Sequence, residues 1–120
     1  MSATARRISF GMSGTQKYRN KPTEVDGIRF ASKREATRYK QLLILEKNGE
    51  VKNIIRQLRY KLEFAGHLIC TYQADFVYTE KGKDGLWRSI TEDVKGYRTP
   101  VYALKRKMMK AMLGIEIRET

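Results

Sequence analysis

The sequence has little of several things, and each scarcity closes off a class of protein. Among 120 residues there is one cysteine, Cys70, and one histidine, His67. A single cysteine forms no internal disulfide, and together the two exclude a zinc finger or a histidine-rich metal site. Cys70 lies in the apolar run Leu68-Ile69-Cys70 and reads as a small buried hydrophobe; His67 beside Gly66 reads as a turn or surface residue. No apolar run approaches the roughly 18 residues of a membrane helix. The first residues, MSATARR, lead into Ser, Gly and Thr rather than an apolar signal core, so the expected location is cytoplasmic. Only two prolines interrupt the chain. Acidic residues are also scarce, with 13 Asp and Glu against 25 Lys and Arg, a formal charge of +12 and a pI near 10.0. A domain this small and this basic points to a polyanion, and with no membrane element the expected partner is nucleic acid.

What is present is enough for one domain with a modest core, since 41% of residues are hydrophobic. Residues 1–22 are basic and aperiodic and read as a flexible arm, either a solvated tail or a contact to DNA, leaving residues 23–120 as one domain. Val25-Asp26-Gly27-Ile28 reads as a tight turn between two short extended pieces, with Phe30 available for the core. Ser32 is a natural N-cap and Gly49 a natural stop. Between them Ala36, Tyr39, Leu42, Leu43 and Glu46 keep helical spacing, with Lys33, Arg34, Lys40 and Lys47 left for solvent.

From Val51 to Lys95 the pattern becomes extended. Ile54 to Leu58 and Tyr60 to Phe64 alternate in part, Ala65-Gly66-His67 makes a turn, and Leu68 to Tyr78 is the longest strand candidate. Gly82-Lys83-Asp84-Gly85 turns the chain, and Leu86 to Lys95 returns antiparallel. A second helix opens at Thr99-Pro100 and closes at Gly114, with Val101, Leu104, Met108, Ala111 and Met112 as its core stripe. Ile115-Glu116-Ile117 reads as a last strand. The expected class is α+β, with an α-β-β-β-α-β core and a mixed sheet flanked by helices.

The hairpin carries the chemistry. Along a strand, Thr71, Gln73, Asp75 and Val77 share one face, and Tyr72, Ala74, Phe76 and Tyr78 the other. On the return, Thr91, Asp93 and Lys95 oppose Ile90, Glu92 and Val94. Pairing therefore brings Asp75 and Asp93 together, with Lys95 one pleat further on. Two close carboxylates are tolerated when a divalent cation lies between them, and all-oxygen ligands suit Mg²⁺ or Mn²⁺. The same residues also fit a strand-edge charge and a surface ion pair. Glu92 falls on the other face and is expected to be structural or to pair with a surface base.

Phe30-Ala31-Ser32-Lys33-Arg34-Glu35-Ala36, Gln57, Tyr72-Gln73-Ala74-Asp75-Phe76, Glu92-Asp93-Val94-Lys95-Gly96 and Tyr102-Ala103-Leu104-Lys105-Arg106-Lys107 together resemble a family of small phage and prophage proteins of the PD-(D/E)xK nuclease superfamily. The resemblance covers about residues 17 to 118. It implies a restriction-endonuclease-like fold and a metal-dependent endonuclease in a bacterial host, resembling a Holliday-junction resolvase that acts as a homodimer on branched DNA. Carried over by motif, the metal ligands are Glu35, Asp75 and Asp93, with Lys95 completing the catalytic set. Ala74 replaces the proline of the motif's name. Glu35 is equally explained by the capping box Ser32-Lys33-Arg34-Glu35. Gln57 is a hydrogen-bond donor that supports the metal ligands from behind, or an ordinary strand residue. Arg98, Lys105, Arg106, Lys107 and Lys110 are the expected nucleic-acid contacts or a solvated face, and Tyr97 and Tyr102 either stack on bases or pack. The alternative is a non-catalytic basic DNA-binding protein on the same fold.

Overall fold

The structure, a computed structural model, describes residues 22–95 and 98–120. The proposed arm over residues 1–22 falls, apart from Pro22, outside the described residues, as does Tyr97. The chain divides into two compact units, Met1–Ala36 and Thr37–Thr120.

In the first unit, β1 (Thr23–Val25) and β2 (Ile28–Phe30) form an antiparallel hairpin. Asp26 and Gly27 both have positive φ, 52° and 77°, as a two-residue turn matched to strand twist requires. Phe30 is buried. Helix α1 (Lys33–Lys47) begins here and continues in the second unit. Ser32 caps it: its Oγ accepts the Glu35 N–H at 3.2 Å and its carbonyl accepts the Ala36 N–H at 3.2 Å. Gly49, at φ 77°, ends it as expected.

The second unit holds a four-stranded mixed sheet in the order β3-β6-β7-β8. Its strands are β3 (Val51–Arg56), β6 (Phe76–Lys81), β7 (Trp87–Asp93) and β8 (Arg118–Glu119). β3–β6 and β6–β7 are antiparallel, and β7–β8 is parallel. A separate hairpin of β4 (Arg59–Phe64) and β5 (His67–Gln73) is inserted between β3 and β6. The chain from α1 onward, with that insertion set aside, has the expected order α-β-β-β-α-β and is α+β. Helix α2 (Pro100–Leu113) precedes β8. Thr99 caps it by accepting the Tyr102 N–H on Oγ1 at 3.0 Å, and Pro100 takes the first turn, where no amide partner is needed. Among the described residues, no helix is long and apolar enough to cross a membrane.

Four expectations are corrected. The expected strand Leu68 to Tyr78 is two strands, because the chain leaves the β4–β5 ladder at Ala74-Asp75 to enter the mixed sheet. The Ala74 N–H donates to the Leu58 carbonyl and the Gln57 N–H to the Asp75 carbonyl, pinning that corner. Alternation is therefore interrupted: Tyr72 and Ala74 pack with Val77 rather than with Phe76 and Tyr78. On α2 the buried residues are Tyr102 and Met109; of the expected stripe, Met108 and Met112 pack against the core, while Val101 and Leu104 are 62% and 58% exposed. The helix carries two overlapping apolar rows one residue apart, and the row that meets Leu62, Tyr72, Val77 and Ile117 wins. The last strand lies at Arg118–Glu119, not Ile115–Ile117, because the Ile115 amide is spent capping the Met109 carbonyl at 3.1 Å. Cys70 is half-buried rather than buried, its Sγ 4.0 Å from Met108 Sδ.

The mixed sheet is covered on both faces. Tyr39 of α1 stacks on Phe76 on one side, and Tyr102 and Met109 of α2 pack with Val77 on the other. Buried on both faces, β7 ends in three buried polar residues, Thr91, Glu92 and Asp93. Those three set the polar geometry of the domain.

Candidate functional site

Strand parity separates the two acids at the end of β7. Glu92 is fully enclosed on the α1 face. Arg38 grips it through Nε to Oε2 at 2.6 Å and Nη2 to Oε1 at 2.9 Å, while the Tyr78 hydroxyl donates to Oε1 at 2.5 Å and Thr120 Oγ1 to Oε2 at 3.0 Å. Its base is thus a half-buried arginine of α1. Burial and the Glu92 hydrogen bond push the Tyr78 phenol up to about 12, so it remains a donor.

Asp93 occupies the α2 face, 4% exposed. The Tyr72 hydroxyl donates to its Oδ2 at 2.5 Å, and Lys95 Nζ stands 3.2 Å from its Oδ1. The same ammonium lies 3.9 Å from the centre of the Tyr102 ring, held between a carboxylate and an aromatic face. Asp75 follows the corner that starts β6, one step beyond the last β6–β7 pair, Phe76↔Glu92. Its Oδ2 accepts the N–H of Val94, the residue after Asp93, at 2.8 Å. Burial, the Asp93 hydrogen bond and the charges of Asp93 and Asp75 together hold the Tyr72 phenol well above its usual range. Both acids therefore act on one phenol, and that phenol remains protonated as a donor. Tyr102 is pushed up in the same way by burial, by its hydrogen bond to Glu119 and by Asp93.

The structure brings Asp75, Asp93 and Lys95 together and adds Tyr72, which sequence reasoning did not place at the site, and Tyr102, expected to stack on a base or to pack, which packs in the core. Strict alternation puts Tyr72 on the opposite face, because the break at Ala74-Asp75 is invisible to it. Gln57 contributes through its backbone: with φ 57° it turns its amide onto the Asp75 carbonyl, while its side-chain oxygen accepts from Gln73. Glu35 lies in the first unit, where its amide takes part in the Ser32 cap. Among the described residues, no group of three or more His, Cys, Asp or Glu side chains is placed to hold a metal ion. The site in the second unit offers two carboxylates.

Beside it, Arg98, Arg106, Lys107 and Lys110 line a cavity of about 420 Å³ together with Tyr102. Lys105 is not in its lining. Glu119 of β8 ties three of the lining residues together, accepting the Tyr102 hydroxyl at 2.7 Å, pairing with Arg98, and lying 3.4 Å from Arg106. The Tyr102 hydrogen bond and these two guanidinium groups hold the Glu119 carboxyl below its usual value. Sequence reasoning missed Glu119, since the strand that presents it was placed three residues earlier.

No curated protein and no solved structure is significantly similar to the chain. A family model described as a protein of unknown function matches residues 15–118, nearly the full length. The chain belongs to that family, DUF1064.

Proposed function

We propose that this chain is a metal-dependent endonuclease of the PD-(D/E)xK type that hydrolyses DNA phosphodiester bonds. The observation that carries the reading is the meeting of Asp75, Asp93 and Lys95 at the junction of β6 and β7, with Asp75 bound to the amide that follows Asp93. The order α1-β3-β6-β7-α2-β8 around a mixed sheet supports the restriction-endonuclease-like form of the fold.

The residues fit Mg²⁺ or Mn²⁺. Magnesium is commonly held by one or two carboxylates, with water and substrate phosphate oxygens completing its shell, and Asp75 and Asp93 supply two hard oxygen donors. When bound, such an ion polarises the phosphoryl group and makes a bound water more acidic. The chain's own groups do the rest. Tyr72 fixes the orientation of Asp93 by donating to Oδ2 and leaves lone pairs on both carboxylate oxygens. Lys95, held by Asp93 and Tyr102, presents an ammonium to a phosphate oxygen or to the attacking water, where charge develops. The cations of α2 hold the neighbouring phosphates. A junction-resolving version of the reading requires two copies of this site, one for each strand cut.

A second reading, a DNA-binding protein without catalysis, is favoured by one feature. Both oxygens of Asp93 already have partners within the chain, Tyr72 and Lys95. The two readings part in one experiment. Wild type and Asp93→Ala are incubated with four-way junction, duplex and single-stranded DNA in Mg²⁺ and in Mn²⁺. Cleavage by the wild type and its loss in the variant are expected. If the wild type cuts none of these, or the variant cuts as well, the catalytic assignment fails, and salt-sensitive binding without cleavage selects the second reading.

A further inference from the structure

The cavity beside α2 has a construction that phosphate contacts alone do not require. Its cations stand at the rim: Arg106 and Lys110 are one helical turn apart, Lys107 is on the neighbouring row, and Arg98 precedes the helix. Between them, apart from Glu116, the lining is apolar. Ala103 and Ala111 lie two turns apart on α2, and with no side chain beyond Cβ they open the space that Tyr102 and Ile117 close from behind. A surface built only to follow a phosphate backbone needs the rim and not the hollow. At about 420 Å³ the hollow falls within the range of small-ligand sites.

Its wiring joins it to the acid pair. Tyr102 lines the cavity, carries Lys95 over its ring and donates its hydroxyl to Glu119. Glu119 in turn holds Arg98 and Arg106, and Glu116 pairs with Lys110 at 3.3 Å. Lys107 has no ion pair among the described residues. Three of the four rim cations are thus held by carboxylates, Arg98 and Arg106 by Glu119 of β8 and Lys110 by Glu116, which precedes it. Guanidinium groups preset in this way lose little freedom on meeting a phosphate.

We propose that this cavity receives one unpaired nucleotide of a DNA strand, its base in the Ala103–Ala111 hollow and its phosphate on the rim cations. An unstacked base gains from contact with apolar and aromatic side chains, and a paired base cannot enter without leaving its stack. A nucleotide seated there is one side chain, Tyr102, away from Asp93 and Lys95. The strand would then reach the acid pair at the nucleotide next to an unpaired one. The proposal deepens the nuclease reading by naming its substrate class, DNA with single-stranded or branched character.

Binding is read by fluorescence anisotropy in EDTA, so no cleavage is needed. The probes are a short labelled oligothymidylate and a blunt duplex of equal length, at one salt concentration. Ala103→Trp and Ala111→Trp fill the hollow from either end at exposed helix positions, with thermal melting to confirm that each folds. The wild type should prefer the single strand. Each variant should lose about tenfold or more in single-strand affinity, the size of one stacked base, with duplex affinity within about twofold. Equal losses on both probes, or none on either in two folded variants, would overturn the proposal. A selective loss in a protein that cuts nothing keeps the cavity and sinks the nuclease. Cleavage with unchanged single-strand binding does the reverse.

Discussion

Replacing Glu92 by Gln tests whether the enclosed acid on the α1 face holds the domain together. Glu92 is 0% exposed and receives four hydrogen bonds, two from Arg38 and one each from Tyr78 and Thr120. An amide keeps one acceptor oxygen and turns an NH₂ toward the other pair of donors. The hydroxyls of Tyr78 and Thr120 can rotate to accept, but a guanidinium N–H cannot, so one Arg38 contact becomes a clash of donors. Breaking a buried pair by removing one partner costs about 3–5 kcal/mol. The Arg38 side chain is 19% exposed and partly rehydrates, which lowers the expectation for Glu92→Gln to about 2–3 kcal/mol. For a domain of this size that is a fall in Tm of roughly 10 °C or more. Urea unfolding measures it directly, and the slope with denaturant should not change if the native state stays intact. The double variant Arg38→Met, Glu92→Met should lie closer to wild type than the single Glu92→Met, because an apolar pair leaves no stranded charge. A loss below about 0.5 kcal/mol for Glu92→Gln, within the range of ordinary surface changes, would refute this account of the network.

Other perturbations address separate parts of the molecule. Glu119 has its folded pKa lowered by Tyr102, Arg106 and Arg98, so its contribution to stability is present above the unfolded value of 4.5 and fades as the pH falls below it. Between pH 5 and 3 the stability of Glu119→Gln should therefore fall less steeply than that of wild type, and parallel acid-unfolding curves would contradict the assigned contacts. At the β4–β5 turn, Ala65 has φ 51° before Gly66 at φ 80°, a conformation that Asn adopts more readily than Ala. Ala65→Asn should stabilise the domain by about 0.5–1 kcal/mol in denaturant titration, and a loss of stability would show that the turn is held some other way. Thr99→Ala removes the α2 cap and should cost about 1 kcal/mol; because α2 carries the rim cations, salt-dependent DNA binding should weaken with it.

Local chemistry was legible wherever one residue decides one feature. Ser32 and Gly49 bounded the first helix, Thr99-Pro100 and Gly114 the second, and Asp26-Gly27 and the Gly82–Gly85 stretch the turns, because caps and positive φ depend on the residue itself. Period-two parity also put Glu92 on one face and Asp93 with Lys95 on the other, and their contacts lie on those faces. What composition and spacing could not contain was the point at which a strand changes sheet. The corner at Ala74-Asp75 exists because Leu58 and Gln57, far back in the chain, hold its backbone. That corner moves Tyr72 onto the Asp93 side, and no local pattern encodes it. The same holds for α2, whose two apolar rows are equivalent in the sequence until Leu62, Val77 and Ile117 select one. Legible in the sequence were the helix ends, the turns and the opposite faces of Glu92 and Asp93; the strand break at Ala74-Asp75 and the position of the last strand were not. What surrounds Asp75 and Asp93 was settled by packing, because the phenols, the ammonium and Glu119 converge only when separate ladders and a parallel final strand come together.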